Sequence, residues 1–247
     1  MVAAAAREIA DGEVVFVGMR LPLLAFIVAK HTHAPAAVGY FECGLVRETA
    51  PAVMLYTMAD SPNQIGADWA GSLTSLMGLL ASGHVDLGFV GGAQIDRRGN
   101  LNTSFIGDVE APVIRLPGSG GAADFASLAR RLVLIMPHER RRFVERVDYI
   151  TSPGYGDGGT WRNDVGLPGG GPRAVITTLG VFRFDATGSA YLDTYHPFSS
   201  VDEIGRETGW ELALGPDVRP TPPPSREELG VLRRYDSEGF WTRKDRL

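Results

Sequence analysis

Short apolar runs broken by glycine set the pattern of the N-terminal part of the chain. Residues 14–17 (VVFV) are apolar and mostly β-branched, which predicts a buried strand. A short helix is predicted before it, over residues 3–10, closed by the Asp11-Gly12 turn. Gly18 ends the strand, and Pro22 stands where a first helical position falls. Residues 23–29 are apolar nearly all round, so the helix predicted over 22–31 is a buried one. A second strand, residues 37–41, runs straight into Glu42-Cys43-Gly44. Strand, glycine turn, helix and strand in that order begin an open, mostly parallel α/β sheet flanked by helices.

The alternation continues downstream. A helix is predicted over residues 72–82 and a strand over 85–90, leading into Gly91-Gly92-Ala93-Gln94. Further strands are predicted at 132–136, 147–150, 174–177 and 181–184. Residues 154–173 hold eight glycines in twenty positions and show no periodicity. A loop of that length in a compact domain is usually functional or mobile. PTPPPSREEL (residues 220–229) reads as a proline-rich linker into a final helix, capped by Ser225 with Glu228 at capping-box spacing. The simplest organisation is one α/β domain over residues 1–219 and an appended linker and helical tail over 220–247.

Composition narrows the function classes. The chain has 247 residues, 44% of them hydrophobic, which is ample for a substantial core. Its net charge of −5 offers no global basic field for nucleic acid or an anionic membrane surface. No apolar stretch approaches membrane-spanning length, and the N-terminus lacks the pattern of a signal peptide. Cys43 is the single cysteine, so no intrachain disulfide can form. A reducing compartment follows, and a cytoplasmic location is expected.

Candidate chemistry is sparse. The five histidines (His31, His33, His84, His138, His196) show no metal-site spacing, and one cysteine builds no thiolate cluster, so no metal is expected. There is no G-x-S-x-G elbow. The turns Gly91-Gly92-Ala93-Gln94 and Gly118-Ser119-Gly120-Gly121-Ala122 could bring backbone N–H groups close to a phosphate or an oxyanion, or could be purely structural. Asp96 to Asn100 (DRRGN) is turn chemistry. The run from His138 to Arg142 reads as a solvated or partner-facing charged segment rather than an anion site. Cys43 has no basic neighbour in sequence to activate it and reads as a small buried residue. Glu42 falls at the carboxyl end of a strand, where open α/β sheets place ligands. From position alone it could be a metal ligand, a general base or a nucleophile.

The order of motifs resembles the B (beta) subunit of family I CoA-transferases, of the glutaconate and 3-oxoadipate type. The segments that carry it are DGEVVFVGMRLP, FECGL, GFVGGAQIDRRGNLNTSFIGD, RLPGSGGAADFA, MPHERRRFVERVDYITSPG and GLPGGGP, spanning about residues 5 to 235. In that family an ESG-type tripeptide at the end of an early strand carries the catalytic glutamate. The matching residues here are Glu42-Cys43-Gly44, with Cys43 in place of the usual serine.

The resemblance implies a covalent ping-pong transfer of CoA between carboxylic acids, with Glu42 as nucleophile and a glutamyl-CoA thioester as intermediate. It implies oxyanion or CoA contacts at Gly91, Gly92, Ala93, Gln94, Gly120 and Gly121, and coenzyme A as cosubstrate with no permanently bound cofactor. It also implies a separate A (alpha) subunit in a hetero-oligomer, and the loop at 154–173 becomes a candidate cover. Two other readings differ in class. One is a CoA-thioester hydrolase or ring-cleaving enzyme on the same scaffold, whose members lack the ESG-type glutamate. The other is a non-catalytic effector-binding module, which would carry a DNA-binding segment ahead of its first strand.

Overall fold

The computed structural model describes residues 1–243, which form two compact units. The first comprises Met1–Phe89 and returns at Pro222; the second is Val90–Thr221.

The first unit runs α1 (Val2–Ala6), β1 (Val14–Phe16), α2 (Leu21–His31), β2 (Val38–Phe41), β3 (Leu45–Arg47), α3 (Ser61–Gln64), β4 (Trp69–Ala70), α4 (Leu73–Ala81) and β5 (Leu87–Val90). β1 lies between β2 and β5 and is parallel to both, with Val15 opposite Gly39 on one side and Leu87 on the other. β3 folds back antiparallel on β2, and β4 antiparallel on β3. The helix predicted over 3–10 stops at Ala6. His33 Nε2 lies 3.1 Å from the Ala6 and Ile9 carbonyl oxygens, so these carbonyls find a side-chain partner after the helix ends.

α2 is buried along its length, as its unbroken apolar pattern requires, with Leu23, Leu24, Phe26 and Ile27 at 2% exposure or less. Each such side chain contributes roughly 1.5–3 kcal/mol by leaving water. Gly39 on β2 makes room for this: a Cβ there would overlap the Phe26 ring. Phe26 also meets Phe41 edge to face, with ring centres 6.1 Å apart. Lys30 near the end of the helix is 9% exposed, and its ammonium donates to the carbonyls of Pro35 and Ala37.

The second unit contains the hairpins β6 (Gln94–Ile95) with β7 (Leu101–Asn102) and β8 (Phe105–Gly107) with β9 (Pro112–Arg115). Then come α5 (Ala122–Leu128), β10 (Arg131–Met136), α6 (Trp161–Asp164), β11 (Pro172–Thr177), β12 (Gly180–Phe184), β13 (Ala190–Tyr195), α7 (Val201–Glu207) and β14 (Leu214–Pro220). β10 and β11 are parallel, as are β13 and β14, while β12 runs antiparallel between β11 and β13. The α/β class read from the sequence is therefore the one observed, with parallel strands beside helices and antiparallel hairpins added.

Residues 147–150 are not the strand their apolar content predicts. Val147 is buried, but Tyr149 and Ile150 are exposed, and the stretch makes no ladder. It is fastened instead by the Asp148 N–H bond to Gln94 Oε1 and by isolated bridges on either side, Ile95 with Phe143 and Leu101 with Ser152.

α8 (Arg226–Tyr235) closes the described chain and belongs to the first unit. Its capping box is present as predicted: Ser225 Oγ accepts the Glu228 N–H at 3.1 Å, and Glu228 accepts the Ser225 N–H at 2.6 Å. Glu228 also forms a two-point pair with Arg7, at 2.9 and 2.7 Å. The division predicted after residue 219 thus differs from the observed one, because this ion pair and the packing of α8 on α2 fold the tail into the N-terminal unit. Residues 244–247 of the predicted tail lie outside the described residues.

Candidate functional site

Glu42 stands on a three-residue hairpin turn between β2 and β3, partly exposed, with buried Phe41 ahead of it and buried Gly44 and Leu45 behind. The local chemistry dictates that turn. Three-residue hairpin loops close with a residue at positive φ, a position glycine occupies without strain. Gly44 has φ +97° and donates its N–H to the Phe41 carbonyl at 2.8 Å. Because β2 is parallel to β1 and β1 to β5, the turn lies at the carboxyl end of a parallel set, where the strand pattern predicted a reagent.

Cys43 is exposed rather than buried as predicted, because the turn carries it out beyond the last ladder pair, Phe41 with Leu45. Its thiol donates to the Met58 carbonyl at 3.2 Å. Desolvation, reinforced by the adjacent Glu42 charge and opposed by backbone bonds at Leu45 and Cys43, raises its pKa. That shift works against a thiolate role.

The Met58 carbonyl also accepts from Asn63 Nδ2 at 2.6 Å. Arg47, on β3 and 3% exposed, reaches into the same excursion between β3 and β4. Its guanidinium donates to the carbonyls of Asn63 (2.5 Å), Ile65 (2.9 Å) and Thr49 (3.1 Å). Met58, Asn63 and Arg47 went unnoticed in the sequence, where a single Asn or Arg in an irregular stretch gives no signal of buried anchoring.

The glycine turns of the second unit are closely packed. A Cβ on Gly91 would approach the Ile135 carbonyl to 3.0 Å, and one on Gly92 would approach the Leu101 side chain to 3.0 Å. The Ala93 N–H is committed to the Asn102 carbonyl at 2.9 Å. Gln94 is buried, with Oε1 accepting from Asn102 and the Asp148 N–H and Nε2 donating to Asp148. Gln94 therefore serves the hairpin framework. In the other turn, Gly118 and Gly120 have φ of +94° and +50°, the Gly118 N–H binds the Thr103 carbonyl, and Gly121 is the N-cap of α5.

Other predicted candidates are structural. Asp96 accepts the backbone N–H groups of Arg98 and Asn100 and closes the β6–β7 turn, with Gly99 at φ +70°. His138 is not a solvated member of its charged run: it is 5% exposed and stacks on Phe143 at 3.8 Å. Glu139 pairs instead with Arg141 and Arg142. The segment 154–173 is pinned rather than poised as a cover. Arg162, 6% exposed, donates to the carbonyls of Gly154, Gly169 and Ala126, while Asn100 Oδ1 accepts the N–H groups of Gly154 and Gly156. Among the described residues, no group of three His, Cys, Asp or Glu side chains could hold a metal ion, and no helix is long and apolar enough to cross a membrane.

Fold and site together define an α/β enzyme subunit that presents a carboxylate on a strand-end hairpin. The family model for Coenzyme A transferase matches residues 1–207. The beta chain of the 3-oxoadipate CoA-transferase of Pseudomonas knackmussii is 36% identical over 239 residues, covering 96% of this chain and 92% of that protein. The beta chain of the glutaconate CoA-transferase of Acidaminococcus fermentans is 36% identical over 222 residues, covering 86% and 82%. The crystal structure of glutaconate coenzyme A-transferase from the same organism has a TM-score of 0.90 at 32% identity, over 98% of this chain and 95% of that one. The chain belongs to the Coenzyme A transferase family. It is a CoA-transferase subunit of the beta type, with coenzyme A as cosubstrate.

Proposed function

We propose that Glu42 is the nucleophile of a ping-pong CoA transfer from an acyl-CoA to a carboxylic acid. The observation that carries this reading is the Glu42 turn itself, with its geometry set by Gly44 at the carboxyl end of parallel strands. The Glu42 carboxylate attacks the thioester carbonyl; a C–O bond forms, the C–S bond breaks, and CoA leaves as a thiolate. The product is a mixed anhydride. The thiolate then attacks the glutamyl carbonyl, forming glutamyl-CoA and releasing the donor acid as its carboxylate. The acceptor carboxylate runs the same two steps in reverse. No net proton is taken up, and one thioester replaces another, so the problem is kinetic.

A carboxylate is a weak nucleophile in water, and position supplies much of what solution chemistry lacks. Oxyanion stabilisation by glycine amides falls to Gly91 and Gly92, since the Ala93 N–H is already bonded. The similarity to 3-oxoadipate and glutaconate enzymes supports a dicarboxylate or 3-oxo acid as substrate. The likeness to their beta chains supports a separate alpha subunit as partner in a cytoplasmic hetero-oligomer.

The test uses the complex reconstituted with its alpha subunit. Acyl-CoA followed by borohydride reduces a glutamyl thioester, and peptide mapping locates the reduced residue at Glu42. A Glu42→Ala complex that retains transferase activity sinks the assignment. Free CoA measured with and without an acceptor acid distinguishes transfer from hydrolysis: dependence on the acceptor supports transfer, and equal release without it supports a hydrolase.

A further inference from the structure

The anchoring of the Glu42 turn reaches the far end of the chain. Asp236, just past α8 and 7% exposed, folds the residues that follow: its carboxylate accepts the N–H of Trp241 (3.2 Å) and the N–H and hydroxyl of Thr242 (3.0 and 2.8 Å). The folded segment then donates twice to the excursion between β3 and β4. Tyr235 Oη donates to the Pro51 carbonyl at 2.9 Å, and His31 Nε2 lies 2.9 Å from the same Tyr235 hydroxyl. Trp241 Nε1 donates to the Leu55 carbonyl at 3.0 Å. Phe240 packs edge-on against Tyr56 with ring centres 4.8 Å apart, and the Arg20 guanidinium lies 5.7 Å from the Trp241 ring.

The pinned stretch ends at Met58, whose carbonyl receives the Cys43 thiol beside Glu42. None of the tail residues in this chain of contacts falls within the family match, which ends at residue 207. Irregular backbone without a ladder has low local stability, and contacts from remote residues are what hold it in one arrangement.

We propose that residues 235–242 brace the Glu42 turn, and that Trp241 is a positioning residue for the transfer reaction. The proposal rests on Glu42 as nucleophile. Trp241 acts through the Leu55 to Met58 stretch, and Cys43 receives the effect through its bond to the Met58 carbonyl. Displacement of a reacting group by about 1 Å costs on the order of 100-fold in rate. Loosening one anchor therefore lowers the chemical steps without touching CoA recognition.

In the reconstituted complex, Trp241→Ala lowers kcat about 10-fold while KM for acyl-CoA stays within about twofold. Cys43→Ala produces a similar fall, and Cys43→Ser, which keeps a donor for Met58, restores most of it. The Trp241→Ala, Cys43→Ala double variant falls little below the weaker single variant, because both act through one segment. Trp241→Phe, which keeps a ring and loses only the N–H, falls between wild type and Trp241→Ala; it decides the matter together with the Cys43 variants if Trp241→Ala does not assemble. A merely structural tail would lower the melting temperature, leave kcat per assembled complex unchanged, and combine additively with Cys43→Ala; that result overturns the brace. Glu42→Ala is measured alongside. Activity retained there removes the nucleophile and the brace together, whereas an inactive Glu42→Ala with unaltered kcat in the Trp241 and Cys43 variants overturns the brace alone.

Discussion

Gly71 donates its backbone N–H to the Gly44 carbonyl at 2.8 Å, so two glycines meet backbone to backbone directly after the Glu42 turn. A Cβ on Gly44 would overlap the Gly71 carbonyl, and its φ of +97° is strained for any other residue. Gly44→Ala therefore destabilises the protein by about 2–4 kcal/mol, combining backbone strain with overpacking. Urea denaturation measures the loss, and an unchanged midpoint refutes it.

Arg162 is the hub of the glycine-rich segment 154–173. Burial lowers its pKa, and backbone carbonyls surround its guanidinium. Arg162→Ala leaves those carbonyls without their donor and costs about 3–5 kcal/mol. Arg162→Lys recovers only part of this, since an ammonium cannot reproduce the planar fork. Chemical denaturation gives the first value, and limited proteolysis within 154–173 shows whether the segment has come loose.

His138 and His196 make the second unit sensitive to acid. Burial pushes the His138 pKa down to about 3 and that of His196 to about 4. Thr208 Oγ1 gives its hydrogen to the Ile204 carbonyl, so it accepts from His138 Nε2 and fixes the neutral tautomer. Both folded pKa values lie below the unfolded one, so the unfolded state takes up protons first as the pH falls. Their contribution to stability is full above about pH 6.5 and is lost on going down toward pH 3–4, at up to ~1.4 kcal/mol per pH unit for each histidine. His138→Gln removes one histidine's share of that slope. Equal slopes for wild type and variant in denaturation series between about pH 6 and 4 contradict this.

At Glu228, burial pushes the carboxyl pKa up, but bonds from Arg7 and the Ser225 N–H outweigh it and hold the pKa below the ordinary carboxylate value. Glu228→Gln keeps an acceptor for the cap and loses the charge, which weakens docking of α8 by about 1–2 kcal/mol at neutral pH. Wild type loses the same contribution only as pH falls below its unfolded pKa and through the folded one; the Gln variant shows no such loss. Amide exchange in α8 reports both.

Elements with strong local patterns were legible in the chain itself. Continuous apolarity from Leu23 to Ala29 means a buried helix wherever it packs, and Ser225 with Glu228 three positions on is a cap by its own chemistry. The Asp96 turn needed only local bonds. Weak or nonlocal signals misled: Val147 to Ile150 carries the side chains of a strand, but Gln94 supplies a side-chain partner where a ladder was predicted. His138 sits beside Glu139 and three arginines in sequence, yet its ring stacks on Phe143.

The sequence by itself determined that a glutamate would follow a strand and precede a glycine, because apolarity and φ preference are properties of the local chain. Family membership was likewise legible from the order of motifs. Only the tertiary structure decided that the strand returns at once as a hairpin, that Cys43 faces outward onto the Met58 carbonyl, and that Trp241 braces the stretch behind it. Those relations join residues far apart in the chain, and their stability comes from burial and from satisfying particular carbonyls, which no local pattern encodes.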